Sequence, residues 1–352
     1  MEAGYRRLTA LRLSAQGLAE PGPDALGAVQ HLLALQAQDY VAGLQATAWR
    51  TSGAASDVAA ALDAGRLVRT WPMRGTLHLI RPADLAFLLP LTRDRVHRSA
   101  AGRHRQLGLA AEDFARAGDA VRDRLDGVRA TRADLFAAIR DAGVSVEGQR
   151  GIHLLGALAR GGVVVQTTKD TYARFESLVP ETGIGRDEAL ARLALRYVTG
   201  HGPVTDRDLA WWAGLTLTEI RGALAAVRDQ LDVIEVDGVA YFAPPGLEPA
   251  PGGVWLLPMF DEYLIGYADR SAQLGGEPLD RVVPGLNGMF LPVVVVDGVV
   301  VGTWSKRVVK GVVQVVPDLF ADVARRRWPE LEAAVVRWAN LAGVEAVLAD
   351  AR

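Results

Sequence analysis

Apolar and polar positions change their period along the chain, which divides it into segments of different secondary structure. Apolar residues recur every three or four positions over 187–199, which predicts an amphipathic helix. A second helix starts after Pro203, with Thr205 as its N-cap and Asp208 three positions on, and a third starts at Leu215. Alternation around Asp237-Gly238 then predicts a tight hairpin. Helix, helix, helix and hairpin in this order are typical of a winged helix.

The same order of elements occurs twice more. In residues 111–179 a helix capped by Thr131 and a helix over 151–160 precede a hairpin from Gly161. In the N-terminal segment the pattern predicts helices and two wing strands, at 25–36, 58–65, 67–71 and 76–80. Three similar units in tandem favour a curved array with one continuous face.

From Val254 onward the chain turns to short β runs, with another hairpin signal at Asp297-Gly298. These runs predict a small antiparallel β-barrel, and a helix is expected over 317–338. The predicted fold class is α+β: three tandem winged-helix modules and a C-terminal antiparallel β-barrel that carries a terminal helix. The expected boundaries are 1–90, 91–184, 185–247 and 248–352.

Composition excludes several classes of protein. The chain has 352 residues and no cysteine, so disulfides, zinc–thiolate sites, iron–sulfur clusters and thiol catalysis are excluded. No apolar run approaches the roughly 18 residues needed to span a bilayer, and the first residues lack the apolar stretch of a signal peptide. We therefore expect a cytoplasmic protein associated with the nucleoid. The six histidines show no ligand spacing, so we expect neither a metal nor another cofactor.

The net charge of −2 conceals an uneven distribution of charge along the chain. Residues 1–180 hold 23 basic and 18 acidic side chains, and a basic half is compatible with a polyanionic partner. The densest basic stretch comprises Arg93, Arg95, Arg98, Arg103 and Arg105, with His97 and His104. Arg93, Arg98, Arg103 and Arg105 are predicted to contact DNA phosphates, although a solvated helix face gives the same pattern.

Gln36-Ala37-Gln38 is the main candidate for chemistry. Two carboxamides two positions apart, at or just past a helix end, can hold one water molecule through several hydrogen bonds without supplying charge. A solvated or capping pair of glutamines is the alternative. Glutamine takes up no proton at neutral pH, so neither residue is a general base. Asp39 is the nearest carboxylate in the sequence. It is a candidate for the base or a counter-charge, but a solvated residue at a helix end is the favoured expectation.

Two further groups are candidates for DNA contact. Arg74, Thr76 and His78 lie on a predicted wing beside the glutamine pair, where hairpin packing is the alternative explanation. Lys306 and Arg307 are expected at a hairpin end of the barrel, where they would hold the DNA backbone. Trp211 and Trp212 are expected to be core residues.

Four ordered blocks resemble a known family. They are Leu35-Gln36-Ala37-Gln38-Asp39, Trp71-Pro72-Met73-Arg74-Gly75-Thr76-Leu77-His78, Pro203-Val204-Thr205-Asp206 with Trp211-Trp212, and Phe260-Asp261-Glu262-Tyr263-Leu264. Together they resemble the AlkZ-like bacterial DNA glycosylases over essentially the whole chain. The third position of the last block departs from the family, which often has asparagine where this chain has Glu262.

The resemblance implies a C-shaped clamp that hydrolyses the N-glycosidic bond of N7-alkylated purines. The family's catalytic motif falls on Gln36 and Gln38, which is similar to the Gln-x-Gln subgroup that includes self-resistance enzymes. The implied partner is double-stranded DNA carrying alkylated purines, with no obligate protein partner.

Three hypotheses follow. The first is a monofunctional DNA glycosylase for bulky or crosslinked N7-alkylpurines. The second is a non-catalytic winged-helix transcription regulator, which would bind a specific sequence and release no base. The third is a protein that sequesters an intercalating drug without DNA.

Overall fold

The computed structural model describes residues 3–320 and 325–349, and within them the chain forms fourteen α-helices and thirteen β-strands. The helices are α1 (Ala3–Ala15), α2 (Ala25–Leu32), α3 (Tyr40–Ala48), α4 (Ala55–Asp63), α5 (Pro82–Gln106), α6 (Ala111–Arg124), α7 (Arg132–Asp141), α8 (Arg150–Arg160), α9 (Arg186–His201), α10 (Asp206–Ala213), α11 (Leu217–Ala226), α12 (Glu262–Ile265), α13 (Ser271–Leu274) and α14 (Trp328–Ala342). The strands are β1 (Ala34–Gln36), β2 (Val68–Met73), β3 (Thr76–Ile80), β4 (Ala130–Thr131), β5 (Val164–Gln166), β6 (Thr171–Arg174), β7 (Asp232–Val236), β8 (Val239–Ala243), β9 (Val254–Leu257), β10 (Val293–Val296), β11 (Val299–Val309), β12 (Val312–Leu319) and β13 (Ala346–Leu348).

One six-stranded antiparallel sheet joins the hairpins of the first two predicted units. Its order is β1-β3-β2-β5-β6-β4, and the junction is the pairing of Arg69 on β2 with Gln166 on β5. Helix α5 runs from Pro82 to Gln106, so the boundary expected between residues 90 and 91 lies inside a helix. These two segments therefore share both a sheet and a long helix.

The third predicted unit contains α9, α10, α11 and the β7–β8 hairpin. Thr205 caps α10, and its hydroxyl and the Asp208 carboxylate bond each other's backbone N–H groups, as the sequence predicted. The hairpin turns at Asp237 and Gly238, which both adopt the positive φ that this tight turn requires (51° and 75°). The apolar faces of these helices pack with α5 in one core, in which Phe87, Leu193 and Trp212 are buried.

The C-terminal part forms an open five-stranded sheet of order β13-β12-β11-β10-β9. The prediction of an antiparallel barrel is wrong in two respects. Within the described residues β9 and β13 remain unpaired edges, and β12 and β13 run parallel. The C-terminal helix is present, but the start expected at 317 is wrong, because β12 continues to Leu319 and α14 occupies Trp328–Ala342.

A second correction concerns the glutamine pair. Helix α2 ends at Leu32, four residues before the predicted end. Leu33 then adopts a left-handed φ of 68°, which reverses the chain direction and starts β1. Gln36 therefore lies on a strand, paired with His78 of β3, rather than at the end of a helix.

Residues 3–320 and 325–349 contain no helix with both the length and the apolar character needed to cross a bilayer.

Candidate active site

Gln36 is the last residue of β1, and its side chain has no protein partner within the described part of the chain. The residue is 8% exposed, and its amide group is not sealed from solvent. Only its backbone N–H is engaged, and it donates to Oε1 of Glu262 at 2.9 Å. A carboxamide held on a strand with both polar atoms unoccupied is ready to bind a water molecule or a substrate.

Gln38 lies two residues on and is exposed. Its Oε1 accepts the backbone N–H of Leu77 at 3.1 Å, which fixes the side chain beside β3 and leaves its NH₂ group available. Between the two glutamines, Ala37 is buried against α3. A Cβ added at Gly43 would lie 2.5 Å from the Ala37 Cβ, so glycine is needed for this close approach. The motif is therefore pressed between a helix and a sheet.

Arg69 holds the backbone of the motif. Its guanidinium donates to the carbonyl of Ala37 (Nε, 2.8 Å) and to that of Gln38 (Nη2, 3.1 Å). The third nitrogen, Nη1, donates to Oε1 of Gln166 at 2.8 Å. One buried arginine thus connects the Gln-x-Gln segment to the second predicted unit, and burial lowers the pKa of this guanidinium.

Glu262 is a fully buried carboxylate directly behind Gln36. Its Oε1 accepts the Gln36 N–H, while Oε2 accepts the indole N–H of Trp212 at 3.1 Å and lies 3.4 Å from Nε2 of His201. Burial alone would raise the pKa of Glu262, but the hydrogen bond and charge of His201 and the charge of Arg74 hold it well below its usual range. The site therefore contains a fixed negative charge at neutral pH.

A second buried pair keeps Glu262 in place. Asp261 caps the short helix that starts at Glu262, and its two oxygens accept both terminal nitrogens of Arg50 (2.8 and 3.0 Å). Arg50 also donates to Gln16, whose NH₂ group donates to the Glu262 carbonyl at 3.1 Å. This network joins the N-terminal helix, α3 and the Phe260-Asp261-Glu262 block.

His78 and Arg74 occupy the side of the site next to β3. His78 is fully buried, and burial together with the Arg74 charge lowers its pKa to about 3. The neutral imidazole donates from Nδ1 to the Thr76 carbonyl (2.9 Å), and Nε2 faces Arg74 Nη2 at 3.4 Å. Direct DNA contact by His78 does not fit this burial. Its position instead supports Arg74, while Thr76 is half-buried with an unpartnered hydroxyl.

Trp211 and Trp212 have different environments. Trp212 is sealed in the core, as predicted, and binds Glu262. Trp211 is 38% exposed and lies close to two guanidinium groups, those of Arg74 (4.5 Å from the ring centre) and Arg270 (4.6 Å). These cation–π contacts extend the site along α10.

The predicted phosphate-contacting arginines all lie on α5, and all four are exposed: Arg93, Arg98, Arg103 and Arg105. They do not share one face of the helix, because only Arg98 and Arg105 are two turns apart. Arg93 has a weak surface ion pair with Asp94 at 3.7 Å, whereas Arg103 donates to the amide oxygens of Gln106 at 3.0 Å and Gln149 at 2.8 Å. Phosphate contact by this helix stays a prediction.

Lys306 and Arg307 are exposed on β11, but they are not at the hairpin end. The turn lies at Lys310 and Gly311, so the two side chains belong to the strand that leads to it. Arg307 donates to Gln314 on the neighbouring strand at 3.0 Å. Two residue pairs therefore separate Arg307 from the turn.

Asp39 has a structural role, as the sequence predicted. It is the N-cap of α3, where its Oδ1 accepts the backbone N–H of Ala42 at 2.8 Å. That bond fixes the start of α3 immediately after Gln38.

The arrangement can bind and orient a neutral nucleophile beside a buried anion. Gln36 and Gln38 supply amide groups, and Glu262 supplies negative charge from below. Within the described residues, no group of three histidine, aspartate or glutamate side chains is placed to hold a metal ion. Sequence reasoning missed Glu262, Arg69 and Arg50, because their partners are distant in the chain. The only signal was the unusual Glu262 in the Phe-Asp-Glu block.

The protein that holds this site, two amides beside a buried carboxylate on an α+β fold, matches a known family of enzymes. The family model for AlkZ-like DNA glycosylases matches residues 29–341. The chain belongs to this family and is a DNA glycosylase.

Two comparisons with individual proteins agree with the family. An interstrand DNA cross-link repair glycosylase of Streptomyces sahachiroi is 27% identical over 333 residues, which cover 87% of this chain and 88% of the relative. The solved structure of the Streptomyces sahachiroi DNA glycosylase AlkZ has a TM-score of 0.79 and 26% identity, and the match covers 99% of this chain and 100% of that one.

Proposed function

We propose that this DNA glycosylase hydrolyses the N-glycosidic bond of N7-alkylated purines, including bulky and crosslinked ones, with Gln36 and Gln38 at the catalytic centre. The observation that carries the proposal is the free carboxamide of Gln36 beside the anchored carboxamide of Gln38, above the buried carboxylate of Glu262. The cross-link repair activity named for the Streptomyces sahachiroi relative supports the same substrate class.

The chemistry suits a site without a general base. An N7-alkylated purine carries positive charge, so the base leaves readily and the sugar becomes an oxocarbenium ion. The bond from C1′ to the purine nitrogen breaks with its electron pair on the base, which becomes neutral. Water held by the two amides then bonds to C1′ and releases its proton to solvent. The Glu262 charge stabilises the cationic sugar through the site's low dielectric.

We further propose that the three helical units with their hairpins are winged-helix modules arranged as a clamp on the DNA. The exposed arginines of α5 and the pair Lys306 and Arg307 would contact the phosphates of the duplex. A role in self-resistance to a genotoxic natural product fits the Gln-x-Gln motif and the resemblance that it carries.

Base release from defined duplexes tests the proposal. Duplexes with one N7-methylguanine and with one bulkier N7 adduct are incubated with the protein, and abasic sites are then cut by heat and alkali. We expect release by the wild type, and loss of at least about 100-fold in the Gln36→Ala, Gln38→Ala double variant. Gln230→Ala changes an exposed glutamine on another element and should keep full activity.

Gln38→Asp separates water positioning from proton transfer. A carboxylate at this position can take a proton, so we expect the variant to remain active and to lose activity at acidic pH. Full activity of the double variant would refute the site. Tight binding to undamaged duplex of one sequence, with no release from either lesion, would favour the transcription regulator.

A further inference from the structure

Arg160 is a buried cation without a counter-charge. It is the last residue of α8 and is 7% exposed, yet its guanidinium forms no ion pair with any described residue and its Nε has no hydrogen-bond partner. Burial lowers the pKa of Arg160 to about 10, so the group remains charged at neutral pH. A buried charge is normally paired, and an exception in a folded protein suggests a ligand.

Two cavities open on either side of this guanidinium. One has a volume of about 380 Å³ and lies between α5, α6 and α8, with Arg93, His97, Phe114 and Arg122 in its wall. The other has a volume of about 310 Å³ and is lined by Trp71, His153 and Gly156, among others. Both volumes lie near the lower end of the range for natural ligand sites.

The surroundings of Arg160 are basic. Arg93 and Arg122 lie in the wall of the larger cavity, which also contains one carboxylate, that of Asp94. Asp94 and Asp119, the acidic partners of the two arginines, are largely exposed to water. Exposed pairs of this kind contribute little, so both arginines can turn towards an anion. The cavity is therefore a pocket with one buried and two movable guanidinium groups.

The smaller cavity extends from Arg160 to the turn of the β2–β3 hairpin. Gly75, in the turn that carries Arg74, lines its wall together with Trp71. Nη1 of Arg160 lies over Gly156, where an added Cβ would come within 3.2 Å of it. The absence of a side chain at position 156 thus gives the guanidinium its place between α8 and the wing.

We propose that Arg160 is the centre of a binding site for a phosphate oxyanion, and that a backbone phosphodiester of the DNA duplex fills it. The planar guanidinium matches two phosphate oxygens at once, which an ammonium group cannot do. Continuity with the arginines of α5 favours DNA over free phosphate, because Arg93 belongs to both. The assignment of the bound phosphate to DNA rests on the proposed function, whereas the oxyanion site itself does not.

Thermal unfolding in inorganic phosphate, compared with sodium chloride of equal ionic strength, tests the oxyanion site. A ligand that binds only the folded state raises Tm. We expect phosphate to raise the Tm of the wild type and of Arg140→Met, which removes an exposed arginine that lines neither cavity. Arg160→Met should show no rise. In chloride its Tm should equal or exceed that of the wild type, because an unpaired buried charge is removed.

Arg160→Lys distinguishes loss of the anion site from a failure of the variant to fold. It keeps the charge and loses the planar fork, so we expect a smaller rise in phosphate than the wild type shows. An equal rise in the wild type and Arg160→Met would overturn the site, and so would no rise in either.

Binding to undamaged duplex at several salt concentrations tests the source of the phosphate. Loss of one phosphate contact should reduce the slope of log affinity against log salt by about 0.9 in Arg160→Met, with a several-fold weaker Kd. Arg140→Met should keep the wild-type slope. A lost response to inorganic phosphate with an unchanged DNA slope would overturn DNA as the ligand and assign the site to free phosphate. Neither assay needs base release, so failure of the catalytic proposal is seen separately.

Discussion

Glu262 accepts the backbone N–H of Gln36 at 2.9 Å, across 226 positions of the chain. The bond places a buried negative charge behind the last residue of β1. Trp212 and His201 satisfy the other carboxylate oxygen, so the group is fully engaged and cannot turn away. The carboxylate therefore acts as a positioning residue for Gln36 and as a fixed source of potential.

The negative charge of Glu262 can be removed while the shape of the side chain is kept. Glu262→Gln keeps an oxygen for the Gln36 N–H and places an NH₂ group where Oε2 now accepts the Trp212 N–H. We expect the single-turnover rate of base release to fall about 10- to 100-fold with the duplex Kd unchanged. Rates and affinities on an N7-methylguanine duplex measure both effects. Glu248→Gln, at an exposed position, is the matched control. Equal rates for the two variants would remove the electrostatic role.

The contact between Gly43 and Ala37 can be tested by adding one methyl group. Gly43→Ala places a Cβ 2.5 Å from that of Ala37, so we expect the Gln-x-Gln segment to shift and the free energy of unfolding to fall by about 1–3 kcal/mol. The free energy of unfolding measured in denaturant and the rate of base release should both decrease.

Gly222→Ala is the control for this change, because a Cβ at that helical position meets open space. It should stabilise the protein by up to about 1 kcal/mol and leave base release unaltered. If Gly43→Ala behaves in the same way, the close approach is not what positions the motif.

His78 gives the stability a pH dependence of defined sign. Its folded pKa of about 3 is below the unfolded value of 6.5, so the unfolded chain takes up the proton first as the pH falls. The contribution of His78 to the free energy of unfolding is fully present above pH 6.5 and is lost progressively towards pH 3, with about 1.4 kcal/mol lost at pH 5.5.

Urea unfolding of the wild type and His78→Gln at pH 7.5 and pH 5.5 measures this contribution. His78→Gln should be less stable at pH 7.5 and lose less stability between the two pH values. His97→Gln, at an exposed imidazole, should follow the wild type. Burial also lowers the pKa of His104, to about 4, so part of the pH dependence should survive in His78→Gln. A pH dependence that is unchanged in His78→Gln would assign the proton to another group.

The β11–β12 hairpin is expected to contact the DNA backbone through Lys306 and Arg307. Lys306→Ala with Arg307→Ala should lower the slope of log affinity against log salt by about 1.8, and the Kd should rise at every DNA sequence tested. Arg192→Ala removes an exposed charge from α9 that is paired with Glu188. It should leave the slope unchanged, and an equal effect of both changes would indicate general charge loss.

Local features of the fold were predictable from the sequence. The caps at Thr131, Thr205 and Asp39 and the turns at Asp237 and Asp297 follow from bonds within three residues, so their patterns are visible in the chain. The C-terminal sheet was only partly predictable, because an open edge and a parallel pair depend on contacts between distant strands.

The two candidate glutamines were predictable from the sequence, but their partners and their geometry were not. Gln36 and Gln38 were proposed from the motif, whereas the strand that ends at Gln36 follows Leu33, whose positive φ is a conformation that leucine rarely adopts. The partners Glu262 and Arg69 come from other parts of the chain, and burial decides the protonation of His78. No local pattern encodes these distances.

Arg69 gives the first two units a shared mechanical element. Because its three nitrogens hold Ala37, Gln38 and Gln166 together, a tilt of the second unit's hairpin would be transmitted directly to the peptide planes of the motif. A hinge between these units would break the site whenever it opened. We therefore expect the DNA, rather than this part of the protein, to bend when lesions of different size are accommodated.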